Sequence, residues 1–286
     1  MLPTVERLAL PRTAPAPVPL PRFPVTSLAL LAATVPLVAF LVVPLLVVLW
    51  RTAAAGRLAE YLATPLVASA LRLSLVTTLA TVALAVALGT PIAYLLARYR
   101  FPGRAAIDTL LDLPMVLPPA VAGVALLMTL GRRGLFGPTL AALDVEIGFT
   151  TTAVVLAQLF IAAPFYVKSA KQGFEAVDPY LEQAAAISGA SGLETFRHVT
   201  VPLALPAILG GVVMAWARAL GEFGATIMFA GNFLGTTQTM PLAIYAAMER
   251  DVGAALALAS ILVVVSFVVL LGVKALLRPG ESRAAD

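Results

Sequence analysis

Asp178-Pro179-Tyr180-Leu181-Glu182-Gln183-Ala184-Ala185-Ala186-Ile187-Ser188-Gly189, followed by Ser191-Gly192-Leu193-Glu194 and then Val199-Thr200-Val201-Pro202, is the stretch whose reading decides the rest of the chain. Asp178 suits an N-cap and Pro179 the first helical position. The alanines favour helix, and Gly189 is placed to stop it. Ser191 and Glu194 have capping-box spacing and open a second helix, which Pro202 is expected to end or bend toward a membrane. The spacing therefore predicts a short helix, a glycine turn and another short helix. Taken alone, this is either a structured connector or a surface offered to a partner.

Outward from this stretch the chain is apolar. Hydrophobic residues make up 60% of the 286 residues and charged residues 12%, against about 25% charged in soluble domains. About 20 apolar residues cross the hydrocarbon layer. Six segments meet that length: 27–50, 72–97, 108–130, 149–172, 203–228 and 252–274. The uncharged run 27–50 is too long for a signal-peptide core and reads as an uncleaved first span. Residues 230–241 contain Asn232, Gly235, Gln238 and Pro241, which predicts an exposed loop, followed by a short interfacial or re-entrant helix over 242–249. Six spans place twelve of the nineteen Lys and Arg on the side holding both termini and the 168–201 loop, and five on the other. The positive-inside rule makes the first side cytoplasmic.

Several chemistries are excluded or left without support. There is no cysteine, and His198 is the only histidine, so neither a thiolate metal site nor a histidine-pair site can be built. The net charge of +4 is spread between apolar runs as topology requires and gives no nucleic-acid footprint. No glycine-rich phosphate loop ending in Gly-Lys-Ser or Gly-Lys-Thr occurs, so ATP-driven work would need a separate ATPase chain.

Ionisable residues inside spans are functional candidates. Arg218 and Glu222, four apart in the predicted fifth span, share a helix face that Thr226 continues. Gly221 and Gly224 allow close helix approach. This group reads either as a pathway or gate lining or as a neutralised pair locking helices together. An unpaired Glu222 would repel a permeating anion, so Glu222 is expected to partner Arg218 or another cation. Arg104, Asp108 and Asp112 predict an interfacial ion-pair ladder. Arg132 and Arg133 read as outer surface charge or an anion attractor, and Arg72 is expected to snorkel to the outer interface.

The spacing Gln183-Ala184-Ala185, three residues, Gly189, nine residues, Val199-Thr200-Val201-Pro202 resembles the "EAA" signature of type I ABC importer permeases. Gln183 replaces the family's glutamate, and Val199 and Val201 replace its isoleucine and leucine. Gly221-Glu222-Phe223-Gly224, Asn232, the 236–245 stretch, Asp112 to Pro119 and Gly131-Arg132-Arg133-Gly134 resemble the molybdate permease branch, close to sulfate permeases. The resemblance covers about 66–274. It implies an all-α integral membrane protein of six transmembrane helices, working as a homodimer with two ATPase subunits and an extracytoplasmic oxyanion-binding protein. ATP and magnesium would belong to the ATPase, and this chain would hold no cofactor and no metal.

The resemblance also implies that Glu182, Gln183, Ala184, Ala185, Gly189, Val199, Val201 and Pro202 form the ATPase-docking loop. The pathway or gate candidates are Arg218, Glu222, Phe223, Thr226, Pro118 and Pro119. The expected organisation is a flexible cytoplasmic tail (1–26), a first span with an extracytoplasmic loop (27–65), a permease domain (66–274, coupling loop 175–202) and a cytoplasmic tail (275–286). The expected cargo is molybdate or tungstate, with sulfate, thiosulfate or another oxyanion as the alternative. A secondary transporter would show two related halves, and no such repeat is visible.

Overall fold

The computed structural model describes residues 24–276. The two expected tails lie largely outside these residues, and all five of their arginines do. The described chain is helical: α1 (Pro24–Ala54), α2 (Leu58–Leu62), α3 (Pro65–Arg98), α4 (Arg104–Val116), α5 (Pro119–Leu130), α6 (Gly137–Ala142), α7 (Thr151–Ala176), α8 (Pro179–Ile187), α9 (Gly192–Thr195), a π-helical turn (Phe196–Thr200), α10 (Val201–Leu220), α11 (Gly224–Phe229), α12 (Met240–Met248) and α13 (Val252–Leu276). Among the described residues five stretches are long and apolar enough to cross a membrane, and six if the bent pair α4–α5 is one span. The chain is an all-α integral membrane protein.

The chain forms two compact units that meet at Leu46 and Val47. In the first, the side chains of α1 from Val35 to Leu46, Phe40 among them, are exposed. Apolar exposure of this kind is stable against lipid. In the second unit, α3, α7 and α10 pack together. Their contact surfaces are built from small residues, which let backbones approach where lipid offers no hydrophobic drive between helices. A Cβ on Gly89 would lie 2.9 Å from Tyr166 and Val167, and one on Gly173 2.6 Å from Ala207. Buried hydroxyls return to backbone carbonyls or pair across helices: Thr81 donates to Gln158 Oε1 at 3.1 Å, and Thr90 meets Tyr166 at 2.5 Å. The end of α1 is tied to α13 by Thr52 and Ser260, 2.7 Å apart.

The structure corrects several sequence expectations. The third span is two helices bent by 114°. Pro118 and Pro119 remove two amide donors, and Leu117 before them is extended (ψ 138°), as a residue preceding proline prefers. The fourth span continues to Ala176, so Lys168 and Lys171 stand on α7 and the loop starts after it. Pro202 does not end its helix. Helix runs from Gly192 to Leu220, because the π turn just before Pro202 releases the hydrogen bonding that proline cannot supply. That helix stops at Leu220, short of the expected residue 228. The 230–241 segment is a loop exposed only over 233–236; Thr237, Gln238, Thr239 and Met240 are buried. Its helix starts at Met240, whose N–H donates to Ser74 Oγ at 2.7 Å.

Outside the spans, Tyr61 donates to Asp251 Oδ2 at 2.9 Å, and Asp251 accepts from the N–H groups of Gly253 and Ala254 at the start of α13. The Tyr61 hydroxyl first, and the Ala254 N–H next, hold the Asp251 carboxyl below the ordinary aspartate range. A depressed folded-state value gives stability that is present above about pH 4 and lost as pH falls through the depressed value. Tyr61→Phe is expected to raise the Asp251 midpoint toward the ordinary range, as read by titration of a 13C-labelled carboxyl.

Candidate functional site

Two regions carry the chemistry. The first is the loop from 177 to 202. Asp178 caps α8 by accepting from Tyr180 N–H, and Ser191 and Glu194 form the expected capping box on α9. Between them Gly189 takes φ +92°. Its N–H donates to Ala186 O and that of Ala190 to Ala185 O, both at 3.0 Å, which closes α8 with a Schellman motif.

Helical spacing then sorts the predicted residues. Tyr180, Gln183, Ala184 and Ile187 lie on one exposed stripe, and Ile187 is 88% exposed. Leu193, also exposed, stands beyond the turn. Pro202 is exposed and Ala185, Val199 and Val201 are half-buried.

Glu182 faces the other way. Its Oε1 accepts from Arg98 Nη2 at 3.0 Å and from Thr200 Oγ1 at 2.6 Å, and both members of the ion pair are largely covered. The second donor, Thr200, is fully buried. Arg98 also donates to Val177 O at 3.0 Å. Beside this point Tyr94 meets Phe174 and Phe196 edge-on, and those two rings are tilted against each other, with centroids 4.9–6.0 Å apart. The sequence reading missed Arg98, Thr200 and the aromatic cluster. Arg98 registered only as a topological charge, and nothing local pairs it with a residue 84 positions away.

The second region is where two broken helices meet. Arg218 and Glu222 do pair, with Nη1 2.8 Å from Oε2, an ionic contact without hydrogen-bond alignment. They do not share one continuous helix face with Thr226, because α10 ends at Leu220. Glu222 lies in the break, 1% exposed, and its Oε1 accepts from Ala225 N–H at 2.8 Å, capping α11. Thr226 is buried on α11 and its hydroxyl has no partner. Phe223 packs on Tyr245, with centroids 5.3 Å apart.

Pro118 and Pro119 form the break in the third span, and that break touches this one. A Cβ on Gly224 would lie 2.9 Å from Pro119 Cβ, and one on Gly123 2.6 Å from Ala225 O. Irregular backbone at membrane depth persists only when it is buried in protein or lines a polar path, and discontinuous helices are where transporters place such paths. Gly123→Val should force α5 away from α11, because backbone cannot yield as a side-chain end does. It is expected to lower the detergent-solubilised melting temperature by several degrees, checked by thermal unfolding.

The predicted ladder on α4 is present, and its partners stand on α7. Arg104 pairs with Glu175 at 3.3 Å, Asp108 with Lys171 at 2.8 Å and Asp112 with Lys168 at 2.6 Å. No residue of α4 is buried, so these pairs are its main polar attachment. Arg132 pairs with Glu146, and both side chains are exposed. Arg72 is exposed beside a groove of about 580 Å³ that Ser69 and Gly235 also line. Among the described residues no cluster of His, Cys, Asp or Glu could hold a metal.

The fold is that of ABC importer membrane subunits. A chain of a bacterial ABC transporter importing the acidic polysaccharide alginate superimposes with a TM-score of 0.71 at 16% identity, covering 88% of this chain and 94% of that one. A chain of the MetNI methionine ABC transporter gives 0.58 at 17% identity, over 74% and 95%. Residues 89–279 match the model of the binding-protein-dependent transport system inner membrane component. The chain belongs to that family: it is a membrane-spanning permease subunit of an ABC importer, whose ATPase is a separate subunit.

Within the family, it is 46% identical over 212 residues to the molybdenum transport system permease protein ModB of Mycobacterium tuberculosis, covering 74% of this chain and 80% of that one. It is 44% identical over 162 residues to the ModB protein of Escherichia coli (56% and 71%). A sulfate transport system permease protein of Salmonella typhimurium is 38% identical over 189 residues (66% and 68%).

Proposed function

We propose that this chain forms the path by which molybdate, with tungstate as a second oxyanion, enters the cell. The observation that carries this is the 46% identity to a protein named a molybdenum permease. The weaker match to a sulfate permease supports sulfate as the second reading. The chain works in the cytoplasmic membrane with both termini inside, as a homodimer joined to two ATPase subunits that bind ATP and magnesium. An extracytoplasmic binding protein delivers the oxyanion.

The ATPase seats on the outward stripe Tyr180, Gln183, Ala184 and Ile187, with Leu193 beyond the turn. Gly189 sets the angle between the two short helices, and Ala185, Val199, Val201 and Pro202 shape the loop from beneath. The gate lies where Pro118 and Pro119 meet Glu222 to Thr226, with Arg218 offsetting the Glu222 charge that would otherwise repel the passing anion. The permease domain spans about 66–274.

Reconstitution with the ATPase and binding protein in vesicles tests this. ATP hydrolysis should rise with molybdate and tungstate and stay near its basal level with sulfate. Stimulation by sulfate alone would transfer the assignment to the second reading.

A further inference from the structure

We propose that Glu182 is a positioning residue that transmits movement of the docking helix to the second and fifth spans, and that it is not itself a contact for the ATPase. This rests on the docking reading of α8. Glu182 stands on the side of α8 away from the exposed stripe. One carboxylate oxygen, Oε1, takes both the Arg98 guanidinium at the end of α3 and the Thr200 hydroxyl at the head of α10. Three helices therefore converge on one atom.

The surroundings make this junction stiff. The pair is mostly covered, with side-chain exposure of 13% for Arg98 and 18% for Glu182, so it is screened less than a surface pair. Arg98 is held in turn by Val177 O, between α7 and α8. Tyr94 of α3 packs on Phe174 of α7 and on Phe196 of the π turn.

A push on α8 has few places to go. The Gly189 turn separates it from α9 along the chain, and the Glu182 carboxylate bridges that turn directly to Thr200. From Thr200, α10 runs about 30 Å, at 1.5 Å per residue, to the Arg218–Glu222 break. The carboxylate is thus a strut from the docking surface to the helix that carries the gate, and Arg98 extends the same strut to α3.

The test uses the full chain reconstituted with its ATPase and binding protein, comparing wild type with Glu182→Gln, Arg98→Gln and the double variant. ATPase association, hydrolysis and oxyanion transported per ATP are measured. Glu182→Gln should keep its affinity for the ATPase within twofold, whereas transport per ATP should fall at least tenfold. The double variant should be no worse than either single one. A tenfold loss of association would make Glu182 a contact residue and overturn the proposal, as would unchanged transport per ATP. Thr200→Val, which leaves the ion pair and deletes one hydrogen bond, provides the same reading if Glu182→Gln does not accumulate. Its expected result is a smaller fall in transport per ATP. Failure of the wild-type chain to bind the ATPase is a separate result that removes the docking reading itself.

Discussion

Arg218→Leu is expected to destabilise the permease by about 3–5 kcal/mol, because it leaves a buried carboxylate without its cation. Glu222 is 1% exposed and lies in the break between α10 and α11, where water has little access. Its two oxygens have different duties: one faces Arg218 and the other caps α11. Glu222→Gln keeps an oxygen for the Ala225 N–H and removes the charge, so it should cost much less than Arg218→Leu. The measurement is the folded fraction retained after solubilisation across a denaturant series. If Arg218→Leu matches wild type there, the ionic contact does not hold the break. If Glu222→Gln assembles and transports normally, the charge has no part in the gate.

The second large effect falls on Gly189. At φ +92° a β-branched residue is strained, and sparsely populated conformations of this kind cost about 1–3 kcal/mol. No heavy atom lies within 4 Å of where a Cβ would stand, so the effect is one of backbone conformation and not of crowding. Gly189→Val should unwind the Schellman closure, change the angle between α8 and α9, and weaken ATPase association tenfold or more. Insertion in the membrane should persist, because the loop lies outside the packed spans. Gly189→Asn, which tolerates the left-handed region, should retain most of the association. Co-purification of the ATPase with each variant separates the two, and equal recovery with valine and asparagine would rule out the backbone explanation.

Local chemistry made the loop legible. Caps, the glycine turn and the capping box act within five residues, and Asp178, Gly189 and Ser191–Glu194 are all as their types require. The ladder was legible because four-residue spacing marks one helix face, although the sequence could not show that its partners stand on α7. The ends of the fifth span were not legible. Phe223, Ala225, Ile227 and Met228 carry the apolar pattern on, so hydropathy continues across a break made by backbone turning at Gly221 and capping by Glu222. Pro202 misled for the opposite reason: a local breaker was absorbed by the π turn beside it. The pairing of Glu182 was hidden because both its partners, Arg98 and Thr200, lie outside α8.

The ladder between α4 and α7 also fixes the register of the two helices. Along α4 the charges run positive, negative, negative at Arg104, Asp108 and Asp112; along antiparallel α7 they run negative, positive, positive at Glu175, Lys171 and Lys168. Sliding α4 by one turn in one direction sets Asp108 against Lys168 but Arg104 against Lys171. Sliding it the other way sets Asp112 against Lys171 but Asp108 against Glu175. Each slip keeps one attraction and creates a repulsion between like charges. The ladder therefore holds the bent half of the third span against gliding along α7 in either direction.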